Sequence, residues 1–163
     1  MFDTFTGLPL HILVIHFVVV LLPISAFATI GVFVRPTWRR KYGAWIAALN
    51  VMMLVLTFVT VRAGEDLKDR YRALGDTQTP KDHHEGLGKA LLWVVLALAV
   101  LSAAAWWVGR MPNMGPAAIG LGAVVALVAV AAIVLTMLTG DAGSRSHWSD
   151  FIKSSDKVSS NKH

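Results

Sequence analysis

The sequence predicts an all-α integral membrane protein whose four helices cross the bilayer as an up-down-up-down bundle. Three observations predict it. Four hydrophobic stretches, 9–34, 44–61, 90–108 and 117–138, are each long enough at about 1.5 Å rise per residue to cross most or all of a roughly 30 Å hydrocarbon core. The 163 residues are 55% hydrophobic with a mean hydropathy of +0.59, and the polar stretches between the spans are too short for a core of their own. All ten Asp and Glu fall on one side of the four crossings, as do the six histidines except His16, which sits a little inside the first stretch. The polar chemistry gathers at one membrane surface.

The first span opens at Pro9, where the missing N–H costs nothing. Pro23 lies mid-span and is expected to bend that helix, with neighbouring side chains satisfying the freed carbonyl. Asp3 without any Lys or Arg in the first eight residues is the wrong start for a cleavable leader, so this span is expected to stay as an anchor. The connection 35–43 carries Arg35, Arg39, Arg40 and Lys41 with Trp38 and Trp45, and is expected to be a solvated cluster facing lipid phosphate. In the second span Asn50 is expected to face the bundle and hydrogen-bond across it. The third span follows His83-His84-Glu85. On the fourth, Ala118, Gly122 and Ala126 make a small-residue ridge that permits close helix approach. One membrane domain, 1–148, is expected, followed by a polar tail, 149–163, low in apolar content and expected to be mobile.

Composition excludes several classes. With no cysteine there are no disulfides, iron–sulfur clusters or thiolate metal sites. The net charge of +5 arises from the basic loops of a membrane protein and is no sign of nucleic acid. By raw count the acidic side holds ten Lys and Arg against five, but the connection 35–43 packs four into nine residues with no acid. Positive charge in short loops beside spans orients a membrane protein. That density is expected to place 35–43 and Arg110 in the cytoplasm, and both termini with the 62–89 connection outside.

At the polar end every span delivers a candidate group. His11 lies near the outer end of the first span and His16 about 7–8 Å deeper, separated by about 140° around a regular helix. Arg62 and Glu65 end the second span, His83, His84 and Glu85 precede the third, and Gly140, Asp141 and Gly143 end the fourth, with Met137 one turn below. Ionisable residues within a span usually face protein or water and mark function. Neutral imidazoles with carboxylates suit zinc, copper or iron, which makes His11, His16, His84, Glu65 and Asp141 the candidate metal ligands. His16 with His84 is the one pair that could ligate a haem b, with Arg62 as a propionate partner. The blander reading makes His16 a hydrogen-bonded helix neighbour and leaves His11 and His84 solvated. Met137 reads as packing, and the Gly140–Gly143 stretch has too few oxygens for calcium.

Gly7-Leu8-Pro9-Leu10-His11 and Val14-Ile15-His16-Phe17 resemble the opening of a bacterial membrane family catalogued as domain of unknown function 2231. Arg35-Pro36-Thr37-Trp38-Arg39-Arg40-Lys41-Tyr42-Gly43 is similar to the basic first loop of its actinobacterial members. Ala63-Gly64-Glu65, His84-Glu85-Gly86-Leu87-Gly88, and Gly140-Asp141-Ala142-Gly143 followed by Trp148 resemble the later span ends. The resemblance covers 7–148 and implies a four-span protein, sometimes fused to electron-transfer domains. It also implies histidine at the place of Asp141, and Asp is a poor axial haem ligand.

The expected function is an outward-facing His/carboxylate site binding a metal or haem in a redox or metal-handling context. The alternative is a non-catalytic accessory or assembly subunit packed in a larger membrane complex, or in a homo-oligomer. A transporter lacks inverted broken helices here, and an enzyme lacks a nucleophile–base pairing.

Overall fold

A computed structural model describes the backbone of residues 4–5, 8–73, 82–111 and 115–160, and the side chains of 14–69, 73, 83–111 and 115–145. Four helices carry the fold: α1 (Leu10–Val34), α2 (Pro36–Ala73), α3 (Asp82–Val108) and α4 (Gly115–Ser160). Ahead of α1, two short strands, β1 (Thr4–Phe5) and β2 (Leu8–Pro9), pair antiparallel with Phe5 opposite Leu8. All four helices are long and apolar enough to cross a membrane. Each packs on its sequence neighbour and α4 closes back onto α1, while the diagonal pair α1 and α3 barely touch. The expected four-helix membrane bundle is the observed one.

Several helix boundaries differ from the sequence reading, for local reasons. The connection 35–43 is not a loop, because Pro36 takes the first helical position and Arg39 N–H donates to Arg35 C=O at 2.9 Å, so α2 starts there. At its other end α2 runs past 61 to Ala73. Its 38 residues reach about 57 Å, so its polar end stands beyond the hydrocarbon. Likewise α4 continues as helix to Ser160, taking in most of the polar tail; 161–163 lie outside the described residues.

The core has two apolar layers with a polar one between. Toward the basic end Phe33, Leu98, Ala105, Val125, Ala129 and Ala132 pack together, and toward the polar end Val18, Leu22, Met53, Leu91 and Val95 do. Asn50, fully buried, lies between them as expected. Its Nδ2 donates to Thr29 Oγ1 at 3.1 Å and to Ser102 Oγ at 3.2 Å, tying α1 and α3 to α2. Those hydroxyls in turn donate to Ser25 C=O and Ala99 C=O, so the circuit closes without an idle proton. The small-residue ridge works where α4 meets the end of α1. Ala118 and Gly122 are buried, and a Cβ on Gly122 would stand 2.7 Å from Phe33 C=O.

The basic cluster departs from expectation at one residue. Arg35, Arg40 and Lys41 are exposed, but Arg39 is only 5% exposed, with Nη1 donating to Ala118 C=O across the α2–α4 contact. Helical phase turns Arg39 inward where a flexible loop would have let it reach water. The exposed Trp38, Trp45 and Trp107 sit at that same end, and the exposed Trp93 toward the other, as headgroup-level indoles do.

Candidate functional site

The spacing of small and polar residues builds a cavity at the polar end. Thr57, Thr60, Val61, Gly64 and Lys68 recur at three- and four-residue steps along one face of α2, and His84, Gly88 and Leu91 do so on α3. Thr136, Thr139 and Gly140 face them from α4, and Ile15, Val18 and Val19 close the wall from α1. Together they enclose a cavity of about 110 Å³, lined mostly by apolar atoms. All four helices contribute, but α1 contributes only aliphatic side chains.

Its threonines are already committed as donors. Thr57, Thr60, Thr136 and Thr139 each donate to the carbonyl one turn back, at 2.8, 2.8, 2.7 and 2.7 Å. Their protons are therefore held by the helix backbone and not offered to the space.

His84 is the aimed group. Its Nδ1 lies 3.1 Å from Thr139 C=O, and since a carbonyl oxygen only accepts, Nδ1 carries the proton. A neutral ring so held presents Nε2 as a free acceptor. Gly143 leaves room for this pose, because a Cβ there would lie 3.1 Å from His84 Cε1. The ring is half-buried between α3 and α4.

Beside His84 runs a chain of ion pairs that crosslinks α2 and α3. Lys68 donates to Glu85 Oε2, Lys89 reaches Glu85 at 2.7 Å and Glu65 at 3.2 Å, and Arg62 bonds Glu65 at 3.1 Å. The Lys68 side chain is 12% exposed, so this pair is held partly out of water. Among the described residues this chain joins Arg62, Lys68 and Lys89 to Glu65 and Glu85. A bare dication would have to displace lysines from both carboxylates.

The sequence-derived candidates divide. His84 and Glu65 line the cavity together. Arg62 is 62% exposed, stacked over Phe58 with its guanidinium 5.5 Å from the ring, and bonds Glu65 from outside. His16 is exposed on the outer surface of α1, because Ile15, Val18 and Leu22 occupy the inward stripe. Asp141 is exposed and bonds Arg145 at 2.7 Å on its own helix, while its neighbours Thr139 and Gly140 line the cavity. Met137 is 63% exposed. The His11 side chain lies outside the described residues. Among the described residues no three His, Asp or Glu stand close enough to hold one metal ion. Glu85 stood among the polar-end groups but not among the candidate ligands, and Lys68, Lys89 and Thr139 stood in neither. Their signal is the three- and four-residue stripe that continues the second span past 61 and precedes the third.

The chain matches the model of one family, described as a predicted membrane protein family, DUF2231, over residues 7–156, and it belongs to that family. No curated protein and no solved structure matches it.

Proposed function

We propose that this membrane protein binds a lipid-soluble ring compound bearing hydroxyl groups, of the quinol class, in the cavity at its polar end. The observation that carries the reading is the pose of His84, fixed on Thr139 C=O so that Nε2 can accept a hydrogen bond from a ligand O–H. The wall supports it as well. A cavity of about 150 Å³ lined by apolar side chains takes one benzene ring, and this one, about 110 Å³ and open on one side, is of that order. The threonine hydroxyls, whose protons are committed, His84 Nε2 and Glu65 offer acceptors, which a hydroxyl-bearing ring satisfies and a plain hydrocarbon does not. An apolar tail leaves by way of the bilayer, and the redox context expected of the protein then lies in carrying or presenting a quinol.

Equilibrium binding of a short-chain quinol to the purified protein in mild detergent tests this. Saturable binding that His84→Phe weakens by about three- to tenfold, the worth of one hydrogen bond, supports it. No saturable binding to the wild type refutes it.

A second reading keeps a transition metal on His84 Nε2 with Glu65 as partner, and rests on the same ring pose, since metal-bound imidazoles are held through their other nitrogen in this way. Zinc, copper or iron at one equivalent in the wild type and lost in His84→Ala supports that reading against the first; a Soret band would speak for haem b. The accessory-subunit reading draws on His16 and Asp141, which face outward rather than into the cavity. Co-purification of a partner that His16→Ala abolishes, with ligand binding intact, favours it. We place the cavity and both termini on the outer side of a bacterial cytoplasmic membrane, on the strength of the basic end carrying Arg35, Arg39, Arg40, Lys41 and Arg110. A C-terminal alkaline phosphatase fusion, active only outside the cytoplasm, checks it.

A further inference from the structure

We propose that the basic end of the bundle holds a binding site for the phosphate of an anionic membrane lipid, keyed by the buried guanidinium of Arg39. A guanidinium is permanently charged and carries five N–H donors. Here it is 5% exposed, donates from Nη1 to Ala118 C=O, and among the described residues its buried Nε has no acceptor. Two glycines let it in. A Cβ at Gly109 would lie 3.1 Å from Nε, and one at Gly122 would lie 3.0 Å from Nη1.

A buried charge needs a counter-charge, and this chain has none to give there. No Asp or Glu occurs between Asp3 and Glu65, nor between Glu85 and Asp141, so among the described residues every carboxylate belongs to the far end of the bundle. The surroundings add like charge instead. Arg40 follows directly, Arg35 stacks over Trp38 at 4.5 Å, and Arg110, next to Gly109, stacks over Trp106 at 5.0 Å. A single carbonyl supplies a dipole, not a charge. The counter-ion must therefore come from outside the chain, and the indoles put this end at headgroup depth, where lipid phosphate is the abundant anion. Phosphate oxygens also match the forked donors of arginine.

The test uses the full chain, delipidated in a neutral detergent, with thermal unfolding followed by circular dichroism. Phosphatidylglycerol is expected to raise the midpoint by several degrees, and phosphatidylcholine at the same concentration to leave it unchanged. Inorganic phosphate distinguishes the source. Stabilisation requiring the lipid assigns a lipid site, and equal stabilisation by the free ion keeps the phosphate chemistry but assigns it to a soluble anion. Native mass spectrometry of Arg39→Gln, with helix content checked first, is expected to show phosphatidylglycerol retention reduced about tenfold or more. If Arg39→Gln does not fold, the exposed pair Arg40→Gln/Arg110→Gln leaves Arg39 in place and is expected to weaken retention severalfold. Equal stabilisation by both lipids, or a co-purifying protein whose carboxylate replaces the lipid, overturns the proposal.

Discussion

Alanine at Gly122 and at Gly120 is expected to change stability in opposite directions, although the residues lie two apart on the same helix. At Gly122 the new Cβ would stand 2.7 Å from Phe33 C=O and 3.0 Å from Arg39 Nη1. The first obstacle is backbone, so no side-chain rotation relieves it, and α4 must back away from the end of α1 by roughly half an ångström or more. Overpacking of that kind costs about 1–3 kcal/mol. Displacing the Arg39 donor from Ala118 C=O adds about 1 kcal/mol, and alanine's better helix propensity returns up to about 1. The net is a loss of about 1–4 kcal/mol. At Gly120 nothing stands within 4 Å of the new atom, so only the propensity gain remains, up to about 1 kcal/mol of stabilisation. Unfolding of both variants in mixed detergent micelles, followed by circular dichroism, measures the difference. Equal effects at the two positions would refute the close approach of α1 and α4 at Gly122.

Asn50→Leu is expected to cost about 1 kcal/mol in the same assay, two interhelical hydrogen bonds at about 0.6 each, because Thr29 and Ser102 keep their own carbonyl acceptors. Glu85→Gln strips the shared partner from Lys68 and Lys89 and is expected to lower the unfolding midpoint; raising salt to molar levels should narrow the gap, since part of the pair network faces water. Gly143→Ala pushes on the His84 ring and is expected to weaken ligand binding without loss of stability, because the ring can turn away from Thr139 C=O. Asp141→Asn, at an exposed pair with Arg145, is expected to leave both stability and ligand binding unchanged.

The four helices and their order were legible because each apolar run exceeds what any soluble core would need, and Asn50 was legible because one amide in such a run has nowhere else to bond. The ends at Val34 and Val108 were legible too, but those at the charged segments were not. Charged residues read as loop, yet 62–73 and 36–43 continue as helix, because Pro36 starts α2 well and the ion pairs to Lys89 and Glu85 hold its far end against α3. The site suffered from the same omission. Lys68 and Glu85 enter the cavity wall only once α2 and α3 are extended past their apolar runs, and Arg39 turns inward only once 35–43 is helical. His16 misled for a different reason. Depth in a span was readable from the sequence, but the direction of the side chain depends on which stripe of α1 packs inward, and Ile15, Val18 and Leu22 took that stripe. The Thr139 carbonyl that orients His84 leaves no trace in a sequence, since every residue has one.

The most direct test of the cavity as a ligand site is the dissociation constant of a short-chain quinol for wild type beside His84→Phe, each shown to be folded. The reading predicts saturable one-to-one binding to the wild type, weakened about three- to tenfold when Nε2 is removed. Absence of binding, or affinity untouched by the loss of the imidazole, would contradict it.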